Sequence, residues 1–155
     1  MKHKLDKKVF TLRLFLSDLG FLFAKSPQII GVIRSKEINK SFMEKIMIVV
    51  TAVNGCTYCA WYHAKQAVSS GISKNEVKNM FDLQFQADAS DFEITALLYA
   101  QHYAETSRNP EKEMTDNLFK YYGNKTAEHI ILIIRMIFFG NLAGNTFEVF
   151  LGKRR

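Results

Sequence analysis

Ile46-Met47-Ile48-Val49-Val50-Thr51-Ala52-Val53-Asn54-Gly55-Cys56-Thr57-Tyr58-Cys59-Ala60-Trp61-Tyr62-His63 is the stretch whose reading decides the fold. Its first eight residues are greasy nearly all round, and a helix without a polar face must be buried on every side. Asn54-Gly55 is a strong turn signal. Cys56 then falls at the first turn of a new helix, Cys59 follows at i+3, and His63 four residues beyond that. Residues three and four apart share a helix face, so the three side chains can converge. The stretch therefore predicts two helices joined by a tight turn, with thiols and an imidazole grouped beside it.

Working outward, the same grammar continues. Ser26-Pro27 and Asn109-Pro110 read as N-cap followed by N1. Ser73-Lys74-Asn75-Glu76 and Ser90-Asp91-Phe92-Glu93 fit the capping box, and Gly71 and Gly123 sit where C′ glycines belong. The predicted helices lie near 6–24, 27–35, 38–53, 56–70, 74–83, 91–107, 110–122 and 125–151, the last with a possible break at Gly140-Asn141. In 91–107, Phe92, Ala96, Tyr99 and Tyr103 recur at helical spacing. No segment alternates at period two and no βαβ pattern occurs. The expectation is an all-α, single-domain helical bundle over residues 1–155, with about seven to eight helices. Gly and Pro, at 8 and 2 residues, are too scarce for a turn-rich all-β fold.

Two segments, 46–53 and 130–139, are greasy nearly all round. In a chain this short they suggest subunits packing on one another, and the alternative is an ordinary core helix. The net charge of +6 resides at the ends: residues 1–8 hold four Lys and one Asp, 153–155 are Lys-Arg-Arg, and the body between has 14 basic and 14 acidic residues. A nucleic-acid groove needs charge clustered on the folded surface, so solvated ends are the simpler reading and no nucleic-acid partner is expected. No membrane partner is expected either. Arg13 and Asp18 interrupt the apolar run 9–24, and 130–139 contains Arg135 and is too short to span a bilayer. Two cysteines three residues apart are no secreted disulfide scaffold, and a cytoplasmic location is expected, with the pair serving redox chemistry or metal.

Each residue of the cluster has a chemical reason. A thiol reacts as its thiolate, which a helix N-terminus favours, and this alone makes Cys56 the more acidic thiol. A neutral imidazole one turn along can take the thiol proton. Two thiols at this spacing can close a disulfide. Glu44 precedes the Asn54-Gly55 turn by ten residues and His63 follows Gly55 by eight. In an antiparallel pair they stand about 15 and 12 Å from the turn at about 1.5 Å per residue, close enough in height for a carboxylate to orient the imidazole. Ser41-Phe42-Met43-Glu44 is also a capping-box pattern, which competes for Glu44. Zinc held by Cys56, Cys59 and His63 with Glu44 or another His is the metal alternative, weakened because His3, His102 and His129 stand alone. Two buried, inert cysteines beside an unrelated His are a further alternative.

The pattern Glu44-x11-Cys56-x2-Cys59-x3-His63, with Asn54-Gly55 before it and Ser70-Gly71-Ile72-Ser73 after it, resembles the alkylhydroperoxidase D-like family of the carboxymuconolactone decarboxylase superfamily. The resemblance is strongest over residues 38–80. It implies an all-α fold assembling as trimers or hexamers, and an antioxidant thiol peroxidase or dithiol-disulfide oxidoreductase that reduces alkyl hydroperoxides. It also implies no cofactor or metal, and an external dithiol donor, a lipoyl-type adapter or thioredoxin-like protein. Carried over by position, Cys59 matches the peroxide-attacking thiol, Cys56 the resolving thiol, and His63 and Glu44 the proton relay. One departure is Tyr58, where the best-studied members have a His, and Tyr is a poor base near neutral pH. Lactone decarboxylases of the superfamily lack the Cys pair. A non-catalytic redox-sensing or partner-binding oligomer is the rival reading. Trp61, Tyr62, Tyr58 and Phe42 surround the motif, with core packing the simpler expectation and an apolar approach for an organic hydroperoxide the other. Arg135, Asn145 and Glu148 are further candidates to reach the site from the last helices.

Overall fold

The fold begins from the apolar run 46–53. In the computed structural model, which describes residues 7–152 apart from Lys36, this run forms the middle of helix α2, Lys40–Asn54. Ile46, Ile48, Val49 and Val50 are completely shielded from solvent. Around α2 pack α3 (Thr57–Ser69), α4 (Lys74–Phe81), α5 (Asp91–Glu105) and α6 (Lys112–Gly152). Helix α1, Leu12–Ser35, lies outside this ring and rests on α6. A short 3-10 turn, Phe85–Ala87, follows α4. All regular structure among the described residues is helical.

The enclosure of α2 corrects one expectation. Segment 46–53 is covered by the chain's own helices, and so is 130–139, where Ile130, Ile134 and Phe138 are at most 1% exposed. Neither segment is left bare for a second subunit.

Among the described residues there are six helices, or seven with α6 divided at Gly123, and the difference from the expected eight segments lies in α1. Pro27 was expected to start a new helix, yet α1 runs through it. A proline in a helix leaves the carbonyl four residues back without its amide donor. Here that carbonyl belongs to Phe23, and the Ser26 hydroxyl donates to it at 2.9 Å. The Ser-Pro pair mends the ladder instead of ending it. Gly123 does break α6, taking φ 74° and ψ 168° at the predicted boundary. Gly140-Asn141 breaks nothing, since α6 continues through it. Pro110 precedes α6 by two residues, after Ser107 and Arg108 turn the chain with φ of 52° and 75°.

The caps explain the remaining starts. Asn39, rather than Ser41, caps α2 by accepting the Phe42 N–H at 2.8 Å. Ser73 accepts the Glu76 N–H at 3.1 Å, while the Glu76 carboxylate leaves the cap to meet Lys45 at 2.7 Å. Glu93 accepts the Ser90 N–H at 3.1 Å and also binds Lys45 at 2.9 Å. Lys45 is thus a buried ammonium tying α2 to the starts of α4 and α5.

Helices α1 and α6 are both long and apolar enough to cross a bilayer by length and composition, α1 over Leu12–Arg34. The sequence reading set run 9–24 aside because Arg13 and Asp18 interrupt it, and 130–139 because it is short and contains Arg135, whereas the helices extend well beyond both runs. Half of the α6 window is buried inside the chain's own core. On α1, Asp18 is 5% exposed and ion-paired with Arg108. The basic N-terminal end was read as solvated. Of it, Lys7 pairs with Glu148 and Lys8 donates its N–H to Asn54 O at 3.3 Å. Lys2, Lys4 and 153–155 lie outside the described residues.

The Lys45 triad has a measurable signature. Burial pulls the ammonium down, but the hydrogen bonds and charges of Glu76 and Glu93 outweigh it, and its pKa is raised above 10.5. For Glu93, burial pushes the carboxyl up, while the Lys45 and Ser90 hydrogen bonds win and hold it below 4.5. A depressed carboxyl stabilises the fold above its unfolded pKa, and that contribution is lost as pH falls through the folded value. Lys45→Met should therefore lower the unfolding free energy by about 3–5 kcal/mol at pH 7. Urea midpoints between pH 7 and 3 should fall more steeply for the wild type than for the variant.

Candidate active site

The Asn54-Gly55 turn sets the geometry of the site. Gly55 adopts φ 70° and donates its N–H to Thr51 O at 2.9 Å, closing α2 with a left-handed cap. The chain turns back at once, and Cys56 becomes the N-cap of α3, its sulfur accepting the Cys59 N–H at 3.3 Å. Cys56 and Cys59 are joined as a disulfide with Cα atoms 5.3 Å apart. Both are shielded, Cys56 at 2% and Cys59 at 9% exposure.

On the inward face of α3, Cys59, His63 and Ala67 follow at steps of four. Because α2 and α3 run antiparallel out of the turn, Glu44 and His63 meet. The His63 Nδ1 lies 2.8 Å from the Glu44 carboxylate, and both residues are under 10% exposed. With Asn39 as the α2 cap, Glu44 is released from the competing capping role. A carboxylate that accepts from Nδ1–H fixes the tautomer and leaves Nε2 as the basic nitrogen. Among the described residues Nε2 has no hydrogen-bond partner. Among the same residues no group of three His, Cys, Asp or Glu is arranged to hold a metal ion.

Helix α6 closes the site from the far end of the chain. Gly144 presses so near the sulfurs that a Cβ there would stand 3.0 Å from Cys56 Sγ and 3.7 Å from Cys59 Sγ. Asn141, one turn before it, and Asn145, the next residue, are buried and hold the end of α2. Asn141 donates to Thr51 Oγ1 at 3.0 Å. Asn145 donates to Asn54 O at 2.8 Å and to Lys8 O at 2.9 Å. Asn141, Gly144 and Asn145 therefore form a small-and-amide face against the turn, and the Gly140 carbonyl lies 3.9 Å from Cys59 Sγ. The sequence reading named Asn145, missed Gly144 and took Gly140-Asn141 for a break. Recurrence of Gly and Asn at i and i+4 was the available signal.

The aromatics divide by exposure. Phe42 is a core residue, 2% exposed and 5.8 Å from the Phe92 ring. Tyr58 and Trp61 are not core: they are 69% and 61% exposed, with rings 6.0 Å apart. They line a groove of about 730 Å³ with Gly144, Phe147, Glu148 and Leu151. Tyr62 stands edge-on to the His63 ring at 5.2 Å. Tyr58 is thus a groove wall beside the disulfide. Glu148 reaches the groove, whereas Arg135 lies elsewhere, over the Phe21 ring of α1.

An all-helical fold with an N-capping Cys-x-x-Cys pair and a buried His–Glu pair beside it defines a class of helical dithiol proteins. Residues 31–102, the stretch that carries Glu44, both cysteines and His63, match the carboxymuconolactone decarboxylase family. The family includes enzymes, alkylhydroperoxidase D-like proteins among them. No curated protein matches the chain.

The Gly144 contact yields a prediction. Gly144→Ala should force α6 away from the sulfurs, lowering the melting temperature by several degrees and raising the fraction of free thiols in a fixed glutathione buffer, measured by thiol titration. Asn145→Ala should destabilise the fold by about 1–3 kcal/mol, since the Asn54 and Lys8 carbonyls lose their donor.

Proposed function

We propose that this protein is a dithiol peroxidase for organic hydroperoxides, with Cys59 as attacking thiol, Cys56 as resolving thiol and Glu44–His63 as the proton relay. The observation that carries the proposal is the 2.8 Å contact between Glu44 and His63 on the α3 face that holds Cys59. In the reduced protein, His63 takes the Cys59 proton, and the thiolate attacks the distal oxygen of ROOH. The O–O bond breaks, ROH leaves with the returned proton, and Cys59 becomes a sulfenic acid. The Cys56 thiol condenses with it, forming the disulfide and releasing water. An external dithiol restores both cysteines and leaves as its own disulfide.

The two arguments about the cysteines are reconciled by the last step. Exchange is faster when the leaving thiolate is the more stable one. Attack of the donor on Cys59 expels Cys56, whose sulfur already accepts an N–H at the α3 N-terminus. The helix end then assists the departure of Cys56, and Cys59 remains the sulfur that meets both substrates. The exposed Trp61 and Tyr58 and the apolar groove beside the pair suit an organic peroxide better than hydrogen peroxide.

Peroxide should convert two free thiols per chain to none, with a loss of two hydrogens in mass and no intersubunit disulfide. Cys59→Ser should abolish reaction with peroxide. Cys56→Ser should react once, leaving a sulfenic acid trapped by a dimedone-type reagent, and should not turn over with a dithiol donor. The reverse pattern would assign attack to Cys56. His63→Ala should slow the first step, most strongly at low pH and with partial recovery as pH rises, and Glu44→Gln should act in the same direction more weakly. A wild-type chain that oxidises but turns over with no member of a panel of dithiols, lipoyl compounds included, would be a redox switch instead of an enzyme.

A further inference from the structure

Helix α1 is held to the rest of the chain by one face only. Asp18 and Val32 are its buried positions, and Phe15 packs with Phe10 and Phe139, at ring distances of 5.4 and 5.8 Å. Phe21 lies under the Arg135 guanidinium. The opposite face has its own pattern. Leu12, Leu16, Leu19, Phe23, Ser26, Ile30 and Ile33 follow one another in alternating steps of four and three. Leu12 is 75% exposed, Leu16 59%, Phe23 73%, Ile30 49% and Ile33 53%. The one polar position is Ser26, whose hydroxyl is occupied by the Phe23 carbonyl.

Alternating four-three spacing is the 3.5-residue period at which one helix presents a seam to another. A helix that meets lipid needs apolar character but no such period. Here the inner face also carries Asp18 and Lys25, with Asp18 ion-paired to Arg108. The seam is also self-complementary. Reversed about Phe23, it sets Leu12 against Ile33 of the partner subunit and Leu16 against Ile30 of the partner subunit. The small Ser26 falls against Leu19 of the partner subunit. A parallel pair would stack Ser26 on Ser26 and leave a gap. Over two copies, the exposed side chains of the seam offer on the order of 1,000 Å², the size a specific interface requires. Arg13 and Arg34 fall at the rim, where exposed like charges cost little.

We propose that the outer face of α1 is covered by the α1 of a second copy of this chain, the two helices antiparallel about Phe23. The inference is independent of the peroxidase reading, because it rests on α1, which lies almost wholly outside the family-matched stretch and contributes no side chain to the site.

The test is the mass of the full-length protein in solution, by sedimentation velocity at about 20 µM, for the wild type, Phe23→Glu and Leu16→Glu. Both substituted residues are exposed, and far-UV circular dichroism together with peroxide-driven thiol loss reports whether the chain and its Cys pair are intact. The wild type is expected at twice the chain mass or a multiple of it, and each variant at half the wild-type value with unchanged helicity. Orientation is read in a Cys56→Ser/Cys59→Ser background. Leu19→Cys/Ser26→Cys should form intermolecular disulfides on oxidation, and Ser26→Cys alone should not. A monomeric wild type overturns the proposal, as does an unchanged mass in both variants, or efficient cross-linking through Ser26→Cys alone. A monomeric wild type that floats with phosphatidylglycerol vesicles would assign the face to a lipid surface.

Discussion

The structure depends on burying α2 completely. Its middle has no polar face, so four other helices must surround it, and Glu44 and Lys45 go inside with it at 7% exposure each. A buried charge is tolerated only with a partner. Lys45 finds Glu76 and Glu93, which draws the starts of α4 and α5 against α2. Glu44 finds His63, which fixes how α3 is rotated. The pair proposed to move protons is thus also part of what sets the helix arrangement. The ordinary need to satisfy two buried charges places a carboxylate and an imidazole beside the cysteines.

Helix α6 supplies what α2 and α3 cannot. The turn between them leaves carbonyls at the end of α2 that no helical amide reaches. Asn145 satisfies the Asn54 carbonyl, and Asn141 binds Thr51 one turn earlier. Between them Gly144 lets the helix backbone approach the sulfurs, where any side chain would intrude. These residues lie some ninety positions from the cysteines and outside the family-matched stretch of 31–102. So does the Phe147, Glu148 and Leu151 wall of the groove. The reactive residues and the surface that meets a substrate therefore come from different parts of the chain.

Much was legible in the sequence because it rests on local physics. The all-helical class follows from apolar periodicity and caps, and the Gly123 boundary from a position that requires positive φ. The meeting of Glu44 and His63 could be drawn from a turn and the helical rise, since two helices joined by one tight turn have little freedom. Where the reading failed, the answer lay in a neighbour. Pro27 looked like a start because a proline removes a donor, and the Ser26 hydroxyl that replaces it is a matter of rotamer. Gly140-Asn141 looked like a break because glycine and asparagine weaken an isolated helix, whereas here Asn141 reaches Thr51 of α2, a contact that offsets its poor propensity.

The sequence by itself determined which residues carry chemistry and which helices carry them, because spacing along a helix fixes which side chains share a face. Only the tertiary structure decided what covers each face. It assigned the apolar runs 46–53 and 130–139 to the interior of one chain, turned Tyr58 and Trp61 out into a groove, and left the heptad face of α1 bare. The physical reason is that burial is a property of the assembled packing. An apolar side chain states that it avoids water, and the position of every other helix determines which surface removes it from water.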